Sequence, residues 1–341
     1  MKKMRTGSEL SAIALMSGGL DSTLAAALIK QLGIGVIGVH IHTLFDTDPR
    51  RAEHLSAAAI AIEVEVRPLH LEEEHLEVVR HPRHGYGVGM NPCIDCRIFM
   101  LNAARLFMEQ EGAQFVITGE VLGQRPMSQN MQALELTAKE SGLKDRLLRP
   151  LSAKLLPDSL PVKEGWIPRA SLLSWSGRGR GEQIALAKKL GIEECPQPAG
   201  GCLLCERIYS ARLGDAFSHL GKEEMSLQDF AILRYGRHFR LSDRVKVIIG
   251  RNEQENGILA GLADGRTMIE PTGTVGPLSL VEGATTTAEL QLAAALAGRY
   301  CDNVDETPLE MRIVDNKRVT HLSVIPLSPE DPRISGWRIT G

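Results

Sequence analysis

The sequence predicts a doubly wound parallel α/β domain, followed by a smaller C-terminal α+β domain. Three observations carry the bottom-up part of this reading. Continuous apolar runs alternate with helix-type segments through the first 125 residues. The length, 341 residues, suits two domains of about 100–200 residues each. Beyond the polar stretch 213–228 the texture changes to strand patterns around one long Ala/Leu helix. Strands that are apolar throughout and separated by helices belong to a parallel sheet covered on both faces. The division expected is 1–212 and 228–341.

Each element has its own justification. Leu10–Met16 reads as a buried strand. Asp21–Leu32 reads as a helix, with Leu20, Leu24, Leu28 and Leu32 at i+4 spacing and Gly33 as its stop. Ile34–His42 is a second apolar strand, Arg51–Ile62 a helix, Glu63–Leu69 a strand, Arg97–Glu111 a helix and Gln114–Thr118 a strand. Ser141–Arg180 reads as an elaborated loop region ahead of a helix over Gly181–Leu190. In the second domain, Arg244–Gly250 and Arg312–Pro326 contain strand patterns, and Thr285–Tyr300 is the long helix.

Composition narrows the classes. The chain has 39 basic and 42 acidic side chains, and 43% of it is hydrophobic, which excludes a disordered chain. No apolar run reaches the roughly 18 residues a membrane span needs. The basic start is followed by no signal-type apolar stretch. A cytoplasmic protein with no membrane partner is expected. Aromatics, at 4%, are too scarce for a base-stacking platform.

The sharpest local signal is Ser17-Gly18-Gly19-Leu20-Asp21-Ser22, between a strand and a helix. The glycines let backbone approach an anion, and the N-terminus of the following helix faces it. Asp21 would repel phosphate unless it holds Mg²⁺ bridging to phosphate oxygens. No Walker A lysine and no G-x-G-x-x-G are present. This string resembles the PP-loop of ATP pyrophosphatases, which cleave ATP between the α and β phosphates and use AMP to activate an oxygen; the resemblance implies an adenine nucleotide alpha hydrolase-like domain.

Further strings narrow the resemblance. Thr118-Gly119-Glu120-Val121-Leu122-Gly123-Gln124 is similar to a string of tRNA 4-thiouridine synthetases. Gly89-Met90-Asn91-Pro92-Cys93 is similar to the 2-thiouridylases, and Arg149-Pro150-Leu151 with the helix after it again resembles the 4-thiouridine family. The resemblance covers about residues 12–205. It implies an ATP-dependent tRNA sulfurtransferase that adenylates a uridine carbonyl oxygen and replaces it with sulfur, 4-thiouridine being favoured over 2-thiouridine. It implies ATP contacts from Met16, Ser17, Gly18, Gly19, Asp21, Ser22, Val39, Gly119, Glu120 and Gln124. The catalytic residues expected are Asp21, Cys96 and Cys202. The partners expected are tRNA and a sulfur donor, either hydrosulfide or a cysteine desulfurase persulfide. Two other readings stand beside it: an amidating PP-loop enzyme acting on a small molecule, similar to the 7-cyano-7-deazaguanine synthases, and a non-catalytic RNA-binding factor.

Four of the six cysteines form two C-x-x-C pairs, Cys93/Cys96 and Cys202/Cys205. Cysteines at i and i+3 can ligate one soft metal centre. The resemblance implies that Cys93, Cys96 and Cys202 bind a [4Fe–4S] cluster with one iron open. If Cys205 also ligates, tetrahedral Zn²⁺ is the alternative. A cluster-free route through a Cys202 persulfide is a third. Cys195 and Cys301 read as small packing residues, and so do Met127 and Met131. His70, His75, His81 and His84 read as a solvated loop and helix face. Gly177-Arg178-Gly179-Arg180-Gly181 resembles a phosphate-contacting loop, though no strand precedes it.

In the C-terminal domain Arg234, Arg237, Arg240, Arg244, Lys246 and Arg251 fall within 18 residues with one acid, Asp243. This reads as a basic stripe for phosphate. Val247–Asn256, Gly276-Pro277 and the Thr285–Tyr300 helix resemble the NFACT-R RNA-binding domain over residues 233–337. The 4-thiouridine synthetases carry an RNA-binding THUMP region ahead of the loop. Here 16 residues precede Ser17, so the C-terminal domain is expected to hold the tRNA.

Overall fold

In the computed structural model, which describes residues 10–192, 201–283, 285–302 and 308–340, the chain divides between Leu203 and Leu204 into two units. The first unit runs β1 (Ser11–Leu15), α1 (Leu20–Lys30), β2 (Gly35–His42), α2 (Arg51–Ala61), β3 (Val66–His70), α3 (Glu72–Arg80), α4 (Cys93–Gln110), β4 (Phe115–Thr118), α5 (Met131–Glu140), β5 (Leu147–Leu148), α6 (Leu160–Lys163) and α7 (Gly181–Lys189). The five strands are parallel in the order β3-β2-β1-β4-β5.

The alternation along β1 explains the two-sided cover. Ala12 and Ala14 belong to one core with Leu24 of α1, Ala58 of α2 and Ala187 of α7. Ile13 belongs to the other, with Leu101 and Ala104 of α4 and Ala138 of α5. Successive strand side chains point to opposite faces, so one short strand anchors both layers. The strand order reverses between β1 and β4. The loops leaving their C-terminal ends therefore diverge and open a crevice there.

Two boundaries differ from expectation. The third strand begins at Val66 because Glu63 adopts φ 50 and turns the chain out of α2. The helix expected from Arg97 begins at Cys93, with Pro92 as its N-cap, so the Cys93/Cys96 pair lies within the helix's first turn.

The second unit runs α8 (Arg207–His219), α9 (Leu227–Ile232), β6 (Arg237–Arg240), β7 (Lys246–Ile249), α10 (Glu253–Gly261), β8 (Thr267–Thr272), β9 (Ser279–Glu282), α11 (Thr287–Gly298), β10 (Leu309–Asp315), β11 (Arg318–Val324) and α12 (Arg333–Trp337). Its six strands form an antiparallel sheet ordered β11-β10-β8-β9-β7-β6. The Ala293–Ala297 stretch of α11 packs on it against Phe239, Val247, Val281 and Met311. Asn316 and Lys317, at φ 44 and 69, make the two-residue turn between β10 and β11.

The division falls ahead of α8, whereas the boundary was expected after residue 212. Tyr209, Arg212, Leu213 and Ala216 are the buried face of α8. The Tyr209 hydroxyl donates to the Phe230 carbonyl at 3.0 Å, and Arg212 donates to the Leu233 and Gly236 carbonyls. The polar surface of this helix made it look like a linker. Among the described residues, no helix is long and apolar enough to cross a membrane.

Candidate functional site

The turn after β1 is shaped by hydrogen bonds among its own residues. Gly18 adopts φ +70, and a Cβ there would approach the Leu55 nitrogen to 3.0 Å. The Ser22 hydroxyl donates to the Gly19 carbonyl at 2.9 Å and accepts from the Ser17 N–H at 3.2 Å. The first N–H groups of an α-helix have no intrahelical partner, so those opening α1 are open to an anion. Arg51 fixes the turn from outside, donating to the Ser17 carbonyl at 2.8 Å while paired with Asp46.

The end of β4 closes on this turn. A Cβ on Gly119 would stand 2.4 Å from the Asp21 carbonyl carbon and the Ser22 nitrogen, so only glycine allows the approach. Gln124 donates from Nε2 to Asp21 Oδ2 at 2.9 Å. Asp21 Oδ1 is buried and has no hydrogen-bond partner, which leaves one carboxylate oxygen for a cation. Met16 and Val39, expected at the nucleotide, are core residues at 1% and 0% exposure, joined by a Met16 N–H to Val39 carbonyl bond. The Met16 carbonyl is taken as well, by His40 Nδ1 at 2.8 Å.

Glu120 is 2% exposed and serves its neighbours. Its Oε2 accepts from Arg149 Nε at 2.8 Å and from the Thr118 hydroxyl at 3.0 Å, and its Oε1 lies 3.3 Å from Arg97 Nε. Burial opposes its ionisation, but the Arg149 and Arg97 guanidinium groups outweigh that and hold its carboxyl below the usual range. Arg97 follows Cys96 in α4, so Glu120 joins the end of β4 to the cysteine-bearing turn.

Cys93 and Cys96 sit one helical turn apart, half-buried. Burial pushes the Cys96 thiol up to about 12, so a bound cation would be needed to hold it as thiolate. The Gly201–Leu203 segment is stitched to the loop after β2. Cys202 bridges Asp46, the Thr47 hydroxyl donates to the Gly201 carbonyl at 2.8 Å, and the Leu203 N–H donates to the Phe45 carbonyl at 2.9 Å. Among the described residues, Cys93, Cys96 and Cys202 are not one of the groups whose donor atoms all lie within 4.8 Å of one another. Cys205 is exposed and falls in the second unit. Cys195 lies outside the described residues. Cys301 is buried, as expected, with its thiol pushed up to about 11 by burial.

The sequence reading missed His75. It is 2% exposed, with Nε2 at 3.2 Å from Cys96 Sγ and its ring between those of Phe45 and Phe99. Burial pulls it down to about 4. His75 therefore corrects the solvated-face reading, and its spacing of four from Val79 on a helix was the available signal. His84 also has partners: its N–H and Nδ1 meet the two Asp95 oxygens at 2.9 Å each. Met127 and Met131 are exposed at 56% and 37% and are not packing residues. The Gly177–Gly181 loop is tied to the Gln124 turn, since Gly177 donates to the Leu122 carbonyl at 2.7 Å.

The basic stripe is largely consumed within the second unit. Lys246 is 1% exposed, between Asp215 at 3.8 Å and Glu282 at 3.6 Å. Arg240 pairs with Asp215 at 2.7 Å, and Arg251 pairs with Glu255. These acids come from α8, α10 and β9, outside the window that looked uncompensated.

The fold and this turn make the first unit a parallel α/β domain with a glycine-rich turn between its first strand and first helix. Residues 7–154 match the family model described as thiamine biosynthesis protein (ThiI), and residues 236–338 match the NFACT protein RNA binding domain. The chain thus carries a span similar to the ThiI family ahead of one similar to the NFACT RNA binding domain. A Thermococcus kodakarensis protein named "Probable tRNA sulfurtransferase" is 28% identical over 153 residues, covering 42% of this chain and 38% of its own length. The tRNA-specific 2-thiouridylase MnmA of Syntrophotalea carbinolica is 36% identical over 116 residues, 30% of this chain and 32% of its own. The chain therefore spans well under half the length of these curated relatives. A solved 4-thiouridine synthetase–RNA complex with bound ATP shares 20% identity at a TM-score of 0.41, covering 57% of this chain and 45% of that one.

Proposed function

We propose that the chain is an ATP-dependent tRNA sulfurtransferase, with 4-thiouridine favoured over 2-thiouridine as product. One observation carries the reading: the end of β4 links the turn after β1 to the cysteine-bearing turn of α4. Gly119 packs against Asp21 and Ser22, and the adjoining Glu120 pairs with Arg97 beside Cys96.

The chemistry follows from the residues. The N–H groups opening α1 and the Ser17 and Ser22 hydroxyls hold the ATP phosphates. The free Asp21 Oδ1 would hold Mg²⁺, which neutralises phosphate charge when bound. The uridine carbonyl oxygen attacks the α-phosphorus, the α–β bridging bond breaks, and diphosphate leaves. A sulfur nucleophile then bonds to the activated carbon, and AMP leaves with the original oxygen. Preorganised donors around the phosphates lower the barrier for the first step.

The donor set fits a [4Fe–4S] cluster held by Cys93, Cys96 and Cys202, whose open iron would bind hydrosulfide.

The test is nucleoside mass spectrometry on total tRNA from a strain lacking this gene and from its parent. Loss of one thiolated uridine is expected, and the isomer lost identifies the position. Complementation with Asp21→Ala or Cys202→Ala is expected to leave that nucleoside absent, with both proteins folded by circular dichroism. Restored thiolation in either strain would overturn the mechanism.

A further inference from the structure

In the second domain four arginines converge on one cavity. It holds about 230 Å³ and is lined by Arg212, Arg237, Arg251 and Arg338, with Gly236 and His238 beside them and no acidic residue in its wall. Arg212 reaches it from α8 and is 8% exposed. Its two terminal nitrogens donate to the Leu233 and Gly236 carbonyls at 2.7 and 2.9 Å, while its buried Nε has no partner. Arg237 donates to the Gly250 carbonyl at 3.0 Å and lies over the Tyr300 ring. Among the described residues, Arg251 is the one of the four that is ion-paired, with Glu255.

This arrangement is costly for a folded protein alone. A buried cation without a counter-charge is unfavourable, and an unmade hydrogen bond at a charged nitrogen adds to the penalty. The field confirms the imbalance. Burial and the neighbouring Arg251 push Arg212 down to about 10, with Arg338 adding to the effect and Glu255 only partly offsetting it. His238 is held neutral by burial, Lys246 and Arg212, so it does not supply a further charge. Guanidinium groups present planar, paired donors that match the oxygens of a phosphate. The cavity has no aromatic wall for a base, so its ligand is recognised by the anion.

We propose that this cavity binds a single phosphate group of the tRNA backbone, gripped by Arg212, Arg237 and Arg338. The proposal rests on tRNA being the substrate. It reaches beyond the span 236–338 that matches the RNA-binding family, because Arg212 comes from a helix ahead of that span.

The test measures binding of an unmodified tRNA transcript to the full chain by fluorescence anisotropy, without ATP, across a salt series. Arg338→Ala removes an exposed member of the cluster, and Arg237→Ala a half-buried one. Each is expected to weaken binding roughly tenfold, or about 1.4 kcal/mol, and to lower the salt slope by about one. Lys317→Ala, at the β10–β11 turn outside the cavity, is expected to change neither. Thermal melts confirm that each variant is folded. Unchanged affinity and slope in both arginine variants would overturn the proposal while leaving the sulfurtransferase reading intact. Inorganic phosphate bound by the wild type, with tRNA affinity unaffected in the variants, would also overturn it by assigning the pocket to a free anion. A wild-type chain that binds no tRNA would overturn both readings.

Discussion

Each domain buries an arginine, Arg149 at 7% exposure and Arg212 at 8%, and the two are treated in opposite ways. Arg149 meets the Glu120 carboxylate, the Leu134 carbonyl and the Thr137 hydroxyl. Arg212 meets two carbonyls, leaves Nε unpaired and has three other arginines around the same cavity. A saturated buried charge positions other groups, here the end of β4 against the cysteine turn. An unsaturated one is poised for a ligand of opposite charge. Exposure alone does not separate the two roles; the inventory of partners does.

Removing the carboxylate partner of Arg149 has the largest expected effect. Glu120→Gln leaves Arg149 and Arg97 facing no carboxylate, and breaking a buried pair from one side costs about 3–5 kcal/mol. A fall in Tm of roughly 10 °C is expected by calorimetry. A shift of under about 2 °C would show that the cluster is solvated and the contrast false.

Arg212→Met is expected to cost less. It removes an unpaired buried charge but strands two carbonyls, at about 1–2 kcal/mol, so its Tm falls by less than that of Glu120→Gln. An equal or larger fall would mean that Arg212 is a structural residue like Arg149.

The smallest effect concerns a pair of intermediate character, His84 with Asp95. The Asp95 hydrogen bond raises His84 above its usual value, burial opposes it, and the Asp95 and Glu140 charges add to the rise. A histidine with a raised folded pKa gives stabilisation that is complete below its unfolded value and is lost as pH rises through the folded value. The tether on the first turn of α4 is therefore full at about pH 6 and loosened at about pH 9. Hydrogen exchange at residues 93–97, corrected for intrinsic rates, is expected to lose protection over that interval. His84→Phe is expected to abolish the pH dependence.

The comparison also explains what the sequence could yield. The Ser17–Ser22 turn, the strands around it and the two cysteine pairs were legible because their signals are local: glycine spacing, apolar runs, i and i+3 sulfurs. Half of the basic stripe, Arg240, Lys246 and Arg251, is neutralised by acids the window does not show, since Asp215, Glu255 and Glu282 arrive from other elements. His75 was misread because three glutamates precede it, while its own side of α3 packs with Leu76 and Val79. The two-residue β5 is too short for any periodicity. Arg212 was hidden at the very end of the span expected for the first domain, and its unpaired Nε exists only once α8 has folded against α9 and β6.

That last helix bears on how the molecule can be dissected. A fragment begun at residue 236, where the family match starts, would carry Arg237, Arg251 and Arg338 but not Arg212. It would also lack Tyr209 and the buried Phe230 and Leu233. A weak or insoluble fragment of that kind would report its missing helix rather than the domain's chemistry. The excision that preserves both the apolar seam and the fourth arginine begins at Leu204.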